Sequence, residues 1–381
     1  MYDTSNIFSL WEANADGSNL HPLLPGWHTP PTECCGQWSP DGRFYVFQSR
    51  KTGNLWALPS GKSWLSFRKP KPVPLTTGPL GFGDLSFSPD GQRLYAVGSQ
   101  SRGELVRYDP GAHQSRPFLG GISAGQVAFS LDGNWVSYVS FPDETLWRSR
   151  LDGSEKLQLT TGCAATLPQW SPDGTRIAYV AAVWGKPWQI YVISADGGTP
   201  QVVLPESTNQ VDPTWSPDGT KILFGRASSQ ADAVPLQIEM VDVKTHQVEA
   251  IPGSQGLFSP RWSPDGRWIA AMSSDSRNIV VYDFQTRQWS PWYATTNGSA
   301  GYPVWSPDSQ SLYFAAFMTG NPSQWRIRLG KHTAELVADL DGERRYGETW
   351  GVWTGVTPDG GVLFVRDAST QEIYALNLKY R

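Results

Sequence analysis

The densest group of reactive side chains is Trp27-His28-Thr29-Pro30-Pro31-Thr32-Glu33-Cys34-Cys35, which holds an imidazole, a carboxylate and two thiols. His28 with either cysteine could act as a base and its nucleophile, a pairing that also needs an orienting third group and an oxyanion hole. The same residues are zinc ligands by type, although a zinc site ordinarily takes four ligands at recognisable spacing. Adjacent cysteines in a strand point to opposite faces, so one of the two is expected in the core. Closure of the pair into a vicinal disulfide is the remaining outcome. His28, Glu33, Cys34 and Cys35 are therefore the catalytic candidates.

A second dense stretch, Glu343–Trp353, carries Arg344 and Arg345, the carboxylate of Glu348, and the aromatic rings of Tyr346, Trp350 and Trp353. Paired guanidiniums can clamp an anion, and the tryptophans can wall a pocket.

Both stretches lead into copies of one motif. Trp-Ser-Pro-Asp-Gly is complete at Trp38–Gly42, Trp170–Gly174, Trp215–Gly219 and Trp262–Gly266. Variants stand at Phe87–Gly91, Phe129–Gly133, Trp305–Ser309 and Val356–Gly360, and successive copies are 49, 42, 41, 45, 47, 43 and 51 residues apart. That period suits a propeller blade of four strands. In the motif, Pro presets φ, Asp bonds its carboxylate to the backbone two residues on, and Gly takes the left-handed position that closes a hairpin. The apolar runs that follow, such as Arg176–Val180 and Lys221–Phe224, read as strands. The aromatic residue opening seven of the eight copies is expected to plug the core between neighbouring blades.

The expected architecture is all-β: one eight-bladed propeller of four-stranded antiparallel blades over residues 1–381, with seven blades as the fallback. Blades begin near 33, 81, 123, 164, 209, 257, 300 and 346, and residues 1–28 are expected to complete the last blade, removing free sheet edges. The insertions Ser60–Lys71, Val183–Pro187 and Ser228–Pro235 read as tolerated loops.

In such a ring the segments entering each motif strand converge on one face around the channel, so Asn209, Asp212 and Tyr302 join the candidates. With Trp27, His28, Glu33, Arg344, Arg345, Glu348, Trp350 and Trp353 they make up the expected ligand-binding set. Glu33 and Asp212 precede a motif strand at comparable places and would suit Ca²⁺, which takes six to eight oxygens. Two carboxylates and Asn209 fall short of that number. Pro-x-Trp is intact on blades four to seven and absent on blades eight, one, two and three. Any pocket is therefore expected on that side, touching both dense stretches. His21, His113, His246 and His332 read as surface or hairpin residues.

Composition narrows the partners. The chain has 381 residues, 38 Gly, 30 Pro, 13% aromatic residues and a net charge of −4. No cationic run tracks a phosphate backbone, which argues against nucleic acid. No apolar run reaches the length of a membrane span, and a monomer is expected. The three cysteines make no disulfide framework. No signal-peptide pattern opens the chain, so as it stands it is expected in the cytoplasm.

The repeats at Pro168-Gln169-Trp170, Pro213-Thr214-Trp215, Pro260-Arg261-Trp262 and Pro303-Val304-Trp305 resemble the WD40-like β-propeller repeat of the TolB type. Longer stretches at Leu10–Ser49, Gly103–Asp109, Leu146–Thr160, Asn209–Gly219, Gly256–Gly266 and Gln371–Leu378 resemble the propeller region of acidobacterial CadC-type winged-helix transcriptional regulators. The resemblance spans essentially the whole chain. In that family a DNA-binding domain and further repeats precede the propeller, so the resemblance implies a piece of a longer protein and, for that parent, an extracytoplasmic propeller. It implies a sensory or scaffolding role and brings no catalytic residues. The leading expectation is recognition of a small molecule or protein on the channel face. The alternative is a hydrolase of small esters or phosphotriesters at His28, Glu33, Cys34 and Cys35, with Ca²⁺ or Zn²⁺ as the cofactors such a channel site would take.

Overall fold

The computed structural model describes residues 8–28, 31–60, 71–183, 186–227, 236–317, 322–331, 333–348 and 351–378. The insertions Ser60–Lys71, Val183–Pro187 and Ser228–Pro235 lie wholly or partly outside these residues, as does His332. Regular structure among the described residues is entirely β. Each of the eight motif copies joins two antiparallel strands, so eight motif-led sheets form, and they are numbered here in chain order.

The motif turn works as its residue types require. In the fourth copy, Ser171 Oγ donates to the Asp173 carboxylate, which also accepts the Thr175 N–H at 3.0 Å. Ser171 Oγ in turn accepts the Arg176 N–H at 3.0 Å, and Gly174 takes φ +69°. The pattern recurs with Thr357 and Asp359 in the eighth copy, and in the seventh Ser309 takes the glycine's place at φ +59°. Carboxylates held in this way titrate low. The hydroxyl and backbone donors around Asp41, Asp90, Asp132, Asp173, Asp218, Asp308 and Asp359 depress each pKa.

Where one domain was expected, the chain divides into two compact units. One contains 103–368 and the other 5–102 with 369–381. The first unit holds the third to eighth sheets, each of four strands. Its core lies in layers between successive sheets: Leu146 with Trp170 and Ile177, Val180 with Trp215 and Phe224, Leu223 with Ile269, Val281 with Trp305 and Phe314. Leu340 packs with Val106 and Phe364, while Leu105, Trp353 and Val365 meet Val127 and Phe129 of the third sheet. The eighth sheet therefore touches both the seventh and the third, and the six sheets close on themselves.

The closing sheet differs from expectation. Thr354–Val356 and Val362–Asp367 form a sheet with Gly103–Asp109 and Gln114–Pro117, not with the described residues 8–24. Burial explains the choice. Leu105, Val106 and Tyr108 are all buried against this sheet, whereas the strand pair formed near the N-terminus, Trp11–Glu12 with His21–Pro22, is exposed. The strand leading into the eighth motif runs over Thr354–Val356, and Arg345 bridges Arg366 of the same sheet.

In the second unit, Glu33–Trp38, Phe44–Ser49, Leu55–Pro59 and Val73–Pro74 form the first sheet. Gly81–Phe87 and Arg93–Gln100 are completed by Thr370–Asn377 as a third strand. Val46 and Leu55 pack against Phe82 and Leu94 between these two sheets.

In three sheets the opening aromatic plugs the core against the sheet before it. Trp170, Trp215 and Trp305 are buried, and their indole N–H groups donate to Ala128 O, Gln169 O and Arg261 O of the preceding sheet at 3.0–3.1 Å. Trp38 leads the first sheet of its unit and is 49% exposed, so the expectation fails there.

Candidate functional site

Every inner strand of the first seven sheets carries a β-bulge three residues before the motif. The bulged residues are Cys35, Asp84, Gln126, Leu167, Asp212, Ser259 and Tyr302, each with φ between +49° and +58°. A left-handed residue costs on the order of 1 kcal/mol or more, and most for β-branched side chains. The column accordingly contains no Val, Ile or Thr. A bulge inserts one residue and re-aims its side chain.

In the six-sheet unit, inner strands from all six sheets line a central cavity of about 260 Å³. Gln126, Leu167 and Tyr302 reach it from the bulges, and Trp353 from the equivalent place in the eighth sheet. Prolines 168, 264, 303, 307 and 358 form much of the remaining wall. The cavity extends from the bulges toward the motif turns at Leu131, Pro264, Pro307 and Pro358, whereas the expected face was that of the entry segments. Its one charged wall residue among those described is Arg261, which is buried and bonded to Asp212 Oδ1 at 2.9 Å.

Behind this wall lies a polar chain. Glu348 Oε2 accepts from Gln126 Nε2 at 2.8 Å. Gln126 Oε1 accepts from the Thr166 hydroxyl and from the Leu167 N–H at 2.7 Å. One oxygen of Glu348 is buried with no partner, close to Gly125, Val365 and Phe141, where any Cβ on Gly125 would collide with it. Desolvation, with a lesser contribution from Glu144, pushes the Glu348 carboxyl up to about 8. At neutral pH it is a neutral acid that braces Gln126.

The other candidates of this unit have structural partners. Asn209 Oδ1 accepts the Trp188 N–H at 2.8 Å, tying the fifth sheet to the fourth. Asp212 is neutralised by Arg261. It also sits two places along from Glu33 in the repeat, since Cys35 is its true counterpart. Arg344 is exposed and pairs with Asp367 at 3.2 Å. Arg345 is half-buried, its pKa lowered by that burial, and its backbone bridges Arg366. No anion clamp forms from the two. Trp353 is buried among Leu105, Leu363 and Val365. Trp350 lies outside the described residues.

The second unit brings together Trp27, His28, Glu33, Cys34 and Cys35. His28 Nδ1 lies 2.8 Å from Glu33 Oε1, and the Glu33 side chain is 2% exposed. A carboxylate there requires the proton on Nδ1, leaving Nε2 of the neutral ring as a base. Trp27 stacks on the imidazole with centroids 3.9 Å apart, and Trp56 meets Trp27 edge-on at 4.8 Å. His28 and Glu33 line a cavity of about 290 Å³ walled by Leu10, Leu24 and prolines 22, 25 and 31. Cys34 and Cys35 are joined as a vicinal disulfide, with Cys34 buried and Cys35 exposed. Neither sulfur is a thiolate in this state, so the Cys–His pair that the sequence offers as one alternative has no nucleophile here. Among the described residues no group of three or more His, Cys, Asp or Glu could hold a metal ion. Glu33 and Asp212, the metal candidates, are each committed to a basic partner.

Comparison with known proteins bears on the fold. No family model matches the chain, and no curated protein matches it significantly in sequence. A solved structure assigned as TolB from Agrobacterium tumefaciens is 20% identical at a TM-score of 0.55, covering 70% of this chain and 98% of that one. TolB from Acinetobacter baumannii is 18% identical at 0.48, covering 78% of this chain and 83% of the other. An oligogalacturonate lyase in complex with manganese is 16% identical at 0.46, covering 84% and 96%. With its motif-led antiparallel sheets, the chain has a TolB-type β-propeller fold.

Proposed function

We propose that this chain is a recognition propeller, the sensor-like part of a larger regulator, and that its six-sheet unit binds an uncharged group in the central cavity. One observation carries the reading. The bulge fixes the same backbone in sheet after sheet, yet the side chains it presents to the cavity, Gln126, Leu167 and Tyr302, are all different. Packing needs a repeat, whereas recognition needs differences. The neutralised Arg261 leaves no free charge on the described wall, which favours an uncharged small molecule or an uncharged side chain of a protein partner. The test is a screen of neutral small molecules by intrinsic tryptophan fluorescence, repeated on Gln126→Ala and Tyr302→Ala. Binding should fall at least tenfold, about 1.4 kcal/mol, in variants that still unfold in one cooperative transition. Affinity that survives both substitutions sinks the reading.

A second reading rests on the His28–Glu33 pair. Together they are the orienting and basic members of a hydrolytic site in which water serves as nucleophile. Turnover of p-nitrophenyl acetate or a phosphotriester that drops with His28→Ala supports it. Absence of any turnover by the purified chain removes it.

A further inference from the structure

We propose that Cys34–Cys35 is a thiol–disulfide exchange site whose state controls the His28–Glu33 pocket. This rests on the pocket reading just given and adds its regulation. Six other sheets make the same left-handed bulge at Asp84, Gln126, Leu167, Asp212, Ser259 and Tyr302 with no covalent link. The disulfide is therefore not needed to form the bulge in the first sheet. It does something there that the other sheets do without.

What it adds is a tether directly after Glu33. The ring closed by the two sulfurs limits rotation of residues 34 and 35. The neighbouring residue, Glu33, is the buried carboxylate on which the orientation of His28 depends. Opening the ring frees the segment that holds this carboxylate.

The surroundings suit both redox states. Cys35 is exposed and open to attack, while Cys34 is buried. A disulfide sulfur carries no proton, yet Gln48 Oε1 faces Cys34 Sγ at 3.8 Å, across the strand pair Cys34↔Gln48. That oxygen is an acceptor in place for the thiol that reduction creates. The exchange partner is a dithiol. One of its thiolates attacks Cys35 Sγ, the S–S bond breaks, and Cys34 leaves as a thiolate that takes up a proton. The second thiol of the reagent then displaces Cys35, so two electrons and two protons pass to the protein and the reagent becomes a cyclic disulfide.

The test uses the full chain poised in mixtures of reduced and oxidised dithiothreitol. Alkylation and peptide mass mapping count the thiols at 34 and 35, with the free thiol Cys163 as internal reference. In parallel, carbethoxylation of His28 by diethyl pyrocarbonate is timed on the same peptides. Reversible appearance of both thiols is expected. So is a change in the His28 rate on the order of threefold or more between oxidised and reduced chain, since the reagent reads access to the neutral ring. The double variant Cys34→Ser, Cys35→Ser should match the reduced chain, and the wild-type comparison stands alone if that variant fails to fold. Thiols at 34 and 35 that are never paired, or equal His28 rates in both states, overturn the proposal. Equal rates would leave the hydrolytic reading intact, whereas His28→Ala with undiminished esterase activity would sink that reading and leave the exchange site standing.

Discussion

Glu348→Gln isolates the most costly group near the cavity. The amide is isosteric with the protonated acid and can accept the same hydrogen bond from Gln126 Nε2. It differs in being unable to ionise. The carboxyl is pushed up from its ordinary 4.5 to about 8. The folded state therefore binds the proton more tightly than the unfolded chain, and stability is fully present below the unfolded pKa. It is lost as pH rises, by about 1.4 kcal/mol per unit, until the folded carboxyl also ionises. From 4.5 to about 8 the total loss is about 5 kcal/mol, with about 3 kcal/mol already gone at pH 7. Glu348→Gln should escape that loss. The groups facing the carboxyl are Gln126, Gly125, Val365 and Phe141, with Glu144 the nearby charge. None of them is a cation that could rescue the ionised form.

The assay is denaturant unfolding of wild type and variant at intervals from pH 4.5 to 9. The two should be nearly equal at the acid end and diverge steadily, the variant being the more stable at alkaline pH. Parallel curves would refute the reasoning, because they would mean that the carboxylate finds a partner when it ionises. A variant less stable at every pH would show that the contact near Gly125 cannot accept an amide N–H.

Trp215→Ala should cost roughly 3–5 kcal/mol in denaturant unfolding, as large-to-small core changes do, while Trp38→Ala, at 49% exposure, should cost far less. The depressed motif carboxylates lend stability that is present above their unfolded pKa and disappears as pH falls through the lower folded values. The deficit of Ser171→Ala, which strips a donor from Asp173, should therefore be largest near pH 7 and fade in acid, as read by urea titration. Residues 103–368 should fold alone with a cooperative melt, because their six sheets close without the rest of the chain. Deleting 103–117 should abolish that melt by removing half of the eighth sheet.

Features set by local chemistry were legible in the sequence. Pro, Asp and Gly restrict dihedrals wherever they stand, so the motif announced eight turns, and each joins two antiparallel strands. Pairing between distant strands was not legible. Gly103–Asp109 and Thr370–Asn377 each follow a strand with which a short hairpin would join them. The structure gives Gly103 to Asp367 and Thr370 to Gln100. No turn residue between the neighbouring strands forbids the two hairpins, so the sequence does not exclude them. The price is visible at Ile373, 78% exposed on its new edge.

The site was legible in part for a related reason. Side-chain type singled out the cluster at 27–35, Glu348 and Trp353, and place in the repeat singled out Tyr302. Gln126 ends one of the entry segments expected to face the channel, 123–126, but was not singled out, because an amide announces no chemistry by itself. A signal was nevertheless present: aligned on the motif, the position three residues before it never carries a β-branched side chain. That rule reports backbone, since only the left-handed bulge imposes it. The backbone strain is similar in every sheet, so it cannot be what distinguishes a binding sheet from a packing one. The distinction must lie in the side chain the bulge carries and in what holds it. Leu167 and Tyr302 reach the cavity directly, Asp212 is spent on Arg261, and Gln126 is held by Glu348, Thr166 and the Leu167 N–H. Among these bulged side chains Gln126 is on the wall and is fixed by bonds from two neighbouring sheets. Its orientation is therefore set before any ligand arrives, so the proposed recognition of an uncharged partner should turn on it.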